Sequence, residues 1–112
     1  VYKRQVGNVH LQTSSGDGLD EGRIRAIEAV TDVPLVIHGG SGVPAAQRTV
    51  LARTSNICKY NIGTELRIAF GAALRDAVGA DPDRFDRVQI LKETHDPVVA
   101  ATRRVLAALK PV

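Results

Sequence analysis

Three short stretches hold the side chains able to do chemistry, and each closes or follows a β-branched apolar run. They are His10 at the end of Val6–His10, His38-Gly39-Gly40-Ser41-Gly42 closing Val33–His38, and Asn61-Ile62-Gly63-Thr64 within and after Ile57–Ile62. A neutral imidazole is a good zinc ligand, and two histidines ending successive parallel strands project toward one point. Two ligands do not make a catalytic zinc site, which takes three protein ligands and an open position, so a third would come from elsewhere. Each histidine alone reads equally well as a hydrogen-bonded strand-end residue. The glycines after His38 let backbone N–H groups approach an anion closely, and Pro44 starts a helix whose N-terminus carries the positive end of its dipole. Asn61 to Thr64 repeats that design, with Gly63 for backbone access and the Thr64 hydroxyl at the next helix start. A glycine-rich turn taken singly is also compatible with nothing more than a tight strand-to-helix connection.

The elements that must position these groups are legible in the periodicity. Between the first two runs, Asp20 and Glu21 signal a helix start, and Ile24, Ile27 and Val30 follow at three-residue spacing until Asp32 and Pro34 end the helix. Between the second and third, Pro44 opens a helix through Val50 and Leu51 to about Ser55. After the third, Thr64 and Glu65 open a helix whose Leu66, Phe70, Ala73, Leu74 and Ala77 form one apolar stripe, closed by Gly79 and Asp81-Pro82. Strand, helix, strand, helix, strand, helix means parallel strands joined by crossover helices. Residues 81 to 96 are polar with short helical turns, and Val98, Ala101, Val105 and Leu109 share a face of a last helix; these are expected as appended helices that pack on a barrel exterior or on another subunit. Three parallel strands leave edges uncovered, so either an open doubly wound sheet or a closed (β/α)8 barrel supplies the rest.

Composition excludes several classes. The 112 residues contain one cysteine, Cys58, so an internal disulfide and a cysteine-based zinc framework are both out. The net charge of +3 comes from scattered Lys and Arg interleaved with acids, and four aromatic residues are too few for a base-stacking platform, so nucleic acid is not the expected partner. Without a long apolar run, no membrane partner is expected and a cytoplasmic location is. The chain lacks an initiator Met and opens almost at once into a strand, so an upstream portion is expected. Residues 1–5, VYKRQ, resemble a non-native leader and are set aside.

GNVH (7–10), VPLVIHGGSGVP (33–44) and KYNIGTELRIAF (59–70) together resemble the C-terminal part of the class II, zinc-dependent ketose-bisphosphate aldolases, the fructose- and tagatose-1,6-bisphosphate enzymes. The resemblance implies a (β/α)8 barrel, with residues 6–80 as strands six to eight and their helices and 81–112 as appended helices of the same domain. It implies that His10 and His38 ligate zinc, and that Gly39, Gly40, Ser41, Asn61, Ile62, Gly63 and Thr64 bind the dihydroxyacetone phosphate moiety. The third histidine and the aspartate that acts as acid and base lie on an earlier strand in the family, so no catalytic acid is expected here, and the isolated chain is expected to be inactive. Leu11 stands where the family commonly has a glycine that approaches phosphate and a monovalent cation, which touches cation dependence and substrate preference. A homodimer or homotetramer is implied for the full-length protein.

The implied reaction is the reversible cleavage of a ketose 1,6-bisphosphate to dihydroxyacetone phosphate and glyceraldehyde 3-phosphate, with no lysine Schiff base; Lys59 reads as a strand or ion-pairing lysine. A sugar-phosphate isomerase or epimerase on the same barrel, and a non-catalytic metal- or phosphate-binding remnant, are the alternatives. Cys58 reads as a small core residue, His95 as a surface turn residue, and Arg67 as a helix-surface charge close to the phosphate turn.

Overall fold

The computed structural model describes residues 18–109. The expected strand Val6–His10, its zinc-ligand candidate His10, Leu11 and the leader 1–5 lie outside the described residues. Within them the order is α1 (Glu21–Glu28), β1 (Leu35–Ile37), a 3-10 turn (Gly40–Gly42), α2 (Ala45–Thr54), β2 (Ile57–Tyr60), α3 (Thr64–Ala80), α4 (Arg87–Glu93) and α5 (His95–Leu109). The two strands pair in parallel, Val36 opposite Lys59 and Ile37 opposite Tyr60, with an irregularity between Leu35 and Val36. Helices and a small parallel sheet alternate as the apolar periodicity requires, which is compatible with a portion of an α/β fold.

The helix starts follow their chemistry. Asp20 caps α1, its carboxylate accepting from the Arg23 amide at 2.9 Å, and Asp86 caps α4 through the Val88 amide at 2.8 Å. Gln47 on α2 reaches back to the entry of α1, accepting from the Leu19 amide at 2.7 Å and donating to the Leu19 carbonyl at 2.9 Å. The helix-facing side of the sheet closes on an apolar layer of Leu19, Ile24, Ile27, Ile37, Val43, Leu51 and Ile57. Ile24, Leu51 and Val43 are its most completely buried members, each side chain worth about 1.5–3 kcal/mol by transfer from water.

Several boundaries differ from the sequence reading. α1 stops at Glu28 rather than running to Asp32, because the Val30 amide turns back to the Ile27 carbonyl, and Val30 is left 73% exposed instead of joining the apolar face. β1 begins at Leu35 rather than Val33: Pro34 has no N–H to donate, and the ladder opens with the Leu35 amide on the Asn56 carbonyl at 2.8 Å. Cys58 is exposed, not a core residue. It stands with Val36 and Lys59 among the exposed residues of the two strands, whereas Ile37 and Ile57 are buried in the layer with the helices.

The stripe on α3 is centred on Ala73 and Ala77, which are buried, while Phe70 stays 38% exposed at its edge. His95 opens α5 rather than sitting in a turn. The last helix turns Ala101 and Val105 inward and packs on both α2 and α3, and Thr49 of α2 donates to the Ala108 carbonyl at 2.8 Å. No helix among the described residues is long and apolar enough to cross a membrane.

Candidate functional site

Beyond their last residues the two strands remain stitched together. The Asn61 amide donates to the Ile37 carbonyl at 2.8 Å, and the Gly40 amide donates to the Asn61 carbonyl at 2.9 Å. These bonds hold the turn after β1 against the turn after β2. Gly39 bends between them at φ 67°, the left-handed region that side chains disfavour. Gly40 is buried so closely that a Cβ there would lie 3.2 Å from both the Asn61 carbonyl oxygen and Ile62 Cγ1.

A cleft of about 420 Å³ opens between the two turns, lined by His38, Gly39, Ser41 and Gly42 on one side and Tyr60, Asn61, Ile62, Gly63, Thr64 and Arg67 on the other. Every sequence-predicted site residue within the described range except Gly40 lines it, and Gly40 forms the hydrogen bond beneath. Gly42, Tyr60 and Arg67 complete the lining. Arg67 was legible one turn after Thr64 on α3; Tyr60, an apolar-run residue, carried no such signal.

Ser41 has a structural part that its motif did not announce. Gly63 stands at the start of α3 without a side-chain cap, and Ser41 Oγ supplies one from the neighbouring turn, accepting from the Gly63 and Glu65 amides at 3.2 Å each. The hydroxyl hydrogen remains to donate to a ligand oxygen. Thr64, between the two engaged amides, lines the cleft. Beneath the turn Arg48, buried to 3% exposure on α2, pairs its Nη1 with Glu65 Oε2 at 2.9 Å. Burial pushes the Tyr60 hydroxyl above the ordinary phenol value, against the lowering pull of the Arg48 charge.

His38 is exposed at the cleft, its Nδ1 3.0 Å from Asn61 Nδ2. This contact fixes the plane of the imidazole against Asn61, the donor and acceptor roles of the pair following the ring tautomer. An imidazole oriented by a neighbouring amide fits one ligand of a zinc site. No group of three or more metal-capable side chains forms among the described residues.

Residues 5–111 match the family model described as fructose-bisphosphate aldolase class-II. The chain belongs to that family. It is also 43% identical over 101 residues to a fructose-bisphosphate aldolase of Mycoplasma pneumoniae, an alignment covering 84% of this chain and 35% of that relative. The chain thus spans about a third of the length of the curated relative it matches.

Proposed function

We propose that this chain forms the last three strand-helix units and the appended helices of a (β/α)8 barrel, residues 6–80 and 81–112, in a zinc-dependent aldolase. The complete enzyme cleaves fructose or tagatose 1,6-bisphosphate reversibly to dihydroxyacetone phosphate and glyceraldehyde 3-phosphate. The observation that carries this reading is the meeting of the His38–Gly42 and Asn61–Thr64 turns around one cleft at the C-terminal ends of parallel strands, where barrel enzymes gather their chemistry.

In this reading the chain's own residues bind and orient. Gly39 and Gly40 let the first turn approach a phosphate closely, Ser41 and Thr64 offer hydroxyls to its oxygens, and Ile62 and Gly63 shape the second turn around it. Asn61 orients the His38 ring and reaches toward the substrate. Arg67 adds positive charge on the cleft wall. Anchoring the phosphate turns remote binding energy into alignment of the carbons that separate. His38, with His10 as second ligand, would hold zinc, which when bound supplies a Lewis acid for the negative charge that develops during cleavage. The aspartate acting as acid and base comes from the remainder of the enzyme.

The test uses the full-length enzyme in separate assays for aldehyde release and epimer formation with both bisphosphates. Aldehyde release that EDTA abolishes and zinc restores, with no adduct trapped by borohydride, is the expected result. Epimer formation without aldehyde would assign the isomerase reading, and activity surviving EDTA would remove the zinc assignment.

A further inference from the structure

We propose that Arg48 is a positioning residue that holds the start of α3 in register with the Gly39–Gly42 turn, so that the two turns grip one phosphate monoester; this rests on the aldolase reading of the cleft. Arg48 lies three residues before the fully buried Leu51 on α2, at a spacing where an amphipathic helix ordinarily carries an apolar side chain. The chain instead buries a guanidinium there, and its Nε has no hydrogen-bond partner. The Tyr60 hydroxyl, beside the same cluster, is likewise buried without a partner. Burying a charge so that one of its donors stays unmet does not stabilise a fold relative to an apolar residue of similar volume.

What the arrangement achieves is geometric. Glu65, in the first turn of α3, is held twice: its amide by Ser41 Oγ at 3.2 Å and its carboxylate by Arg48 Nη1 at 2.9 Å. Gly63 gives α3 no local side-chain cap, so these two contacts fix where the helix begins. Residues 63 and 64, immediately before Glu65, are the part of that helix start lining the cleft. Arg48 is absent from the lining and acts through Glu65. The pair is also asymmetric: the Glu65 side chain is 36% exposed and that of Arg48 4%. Removing Arg48 leaves a carboxylate that water can solvate, so Arg48→Met is a variant expected to fold.

The experiment compares the full-length wild type with Arg48→Met, Arg48→Lys and Glu65→Gln. It measures the Kd of inorganic phosphate by titration calorimetry, KM and kcat for the bisphosphate, and Tm. For Arg48→Met, Kd and KM are expected to rise roughly tenfold, kcat to stay within about twofold, and Tm to hold. Arg48→Lys recovers most of the affinity, and Glu65→Gln falls between.

Unchanged Kd and KM in Arg48→Met, with Tm or active fraction reduced, would show a purely structural arginine and overturn the proposal. If Arg48→Met does not fold, Glu65→Gln decides, and an unaltered Kd there overturns it as well. A wild type that binds phosphate without cleaving a bisphosphate refutes the aldolase reading alone, since the Kd series still judges Arg48. A wild type that binds no phosphate overturns the positioning proposal.

Discussion

The same two strands support regions held together in opposite ways. Toward the helices, Ile37 and Ile57 meet Ile24, Leu51 and Val43 in an apolar layer, where attraction is non-directional and grows with buried area. Past the strand ends, the rim of the cleft is held by individual bonds: Gly40 to Asn61, Ser41 to Gly63 and Glu65, Arg48 to Glu65. A layer built from area tolerates small displacements and loses stability when atoms are removed. A rim built from directional bonds loses ligand geometry first. The two regions should therefore separate in mutagenesis, one moving stability and the other moving affinity.

The largest expected effect tests the layer. Leu51 is fully buried, and Leu51→Ala removes its transfer energy and leaves a cavity, about 2–5 kcal/mol in the intact protein by urea denaturation. KM measured on the folded fraction should stay near wild type. A large rise in KM with little loss of stability would erase the distinction between layer and rim.

Gly40→Ala tests the rim at its tightest point. The new Cβ meets the Asn61 carbonyl oxygen and Ile62 Cγ1 at 3.2 Å, so the two turns must part to admit it. In the proposed full-length aldolase, bisphosphate kcat/KM should fall on the order of 100-fold, with a smaller stability loss than Leu51→Ala. Steady-state kinetics beside a thermal melt reads both, and wild-type kinetics would show that the turns need not touch to bind.

How much of this was legible in the sequence follows the same division. The helix-strand alternation, the Asp20 cap and the candidate residues at two strand ends could be read from periodicity and residue type, because each is a local property. The exposure of Cys58 could not: alternation shows that its side differs from that of Ile57, but not which side the helices cover. Val30 failed for a related reason, since its spacing suited the helix and a turn made by the Ile27 carbonyl ended the helix first. At the site, the glycines and hydroxyls of the two turns stood out by residue type, and both turns line the one cleft. Ser41 as cap for a helix 22 residues away, and Arg48 behind Glu65, depend on contacts between separate helices and turns, for which one sequence carries no signal.

Ser41→Ala gives a smaller effect that sharpens the comparison from within the rim. It removes the acceptor for the Gly63 and Glu65 amides, a loss of about 1 kcal/mol by analogy with a helix cap, together with one hydroxyl facing the cleft. Under the proposed function Ser41 both holds the turn and contacts the phosphate, so phosphate affinity should fall by more than that stability change corresponds to. Equal losses in the two measurements would leave Ser41 as a cap only.

The smallest effect lies at the opposite end of the sheet and serves as a control on both regions. The Asn56 amide, with the Arg25 guanidinium as a lesser contributor, holds the Glu28 carboxyl below its ordinary value despite a partial opposing effect of burial. A carboxyl whose folded value is depressed binds fewer protons folded than unfolded as pH falls into the carboxylate range. Its stabilisation is therefore full above that range and is lost as pH drops through the lowered value. Glu28→Gln should flatten the acid limb of a Tm-against-pH profile slightly while leaving phosphate Kd unchanged. An unaltered acid limb would remove Glu28 from the acid response, and a shifted Kd would mean that the far end of the sheet and the rim are mechanically coupled, against the independence that the bonding of the two regions implies.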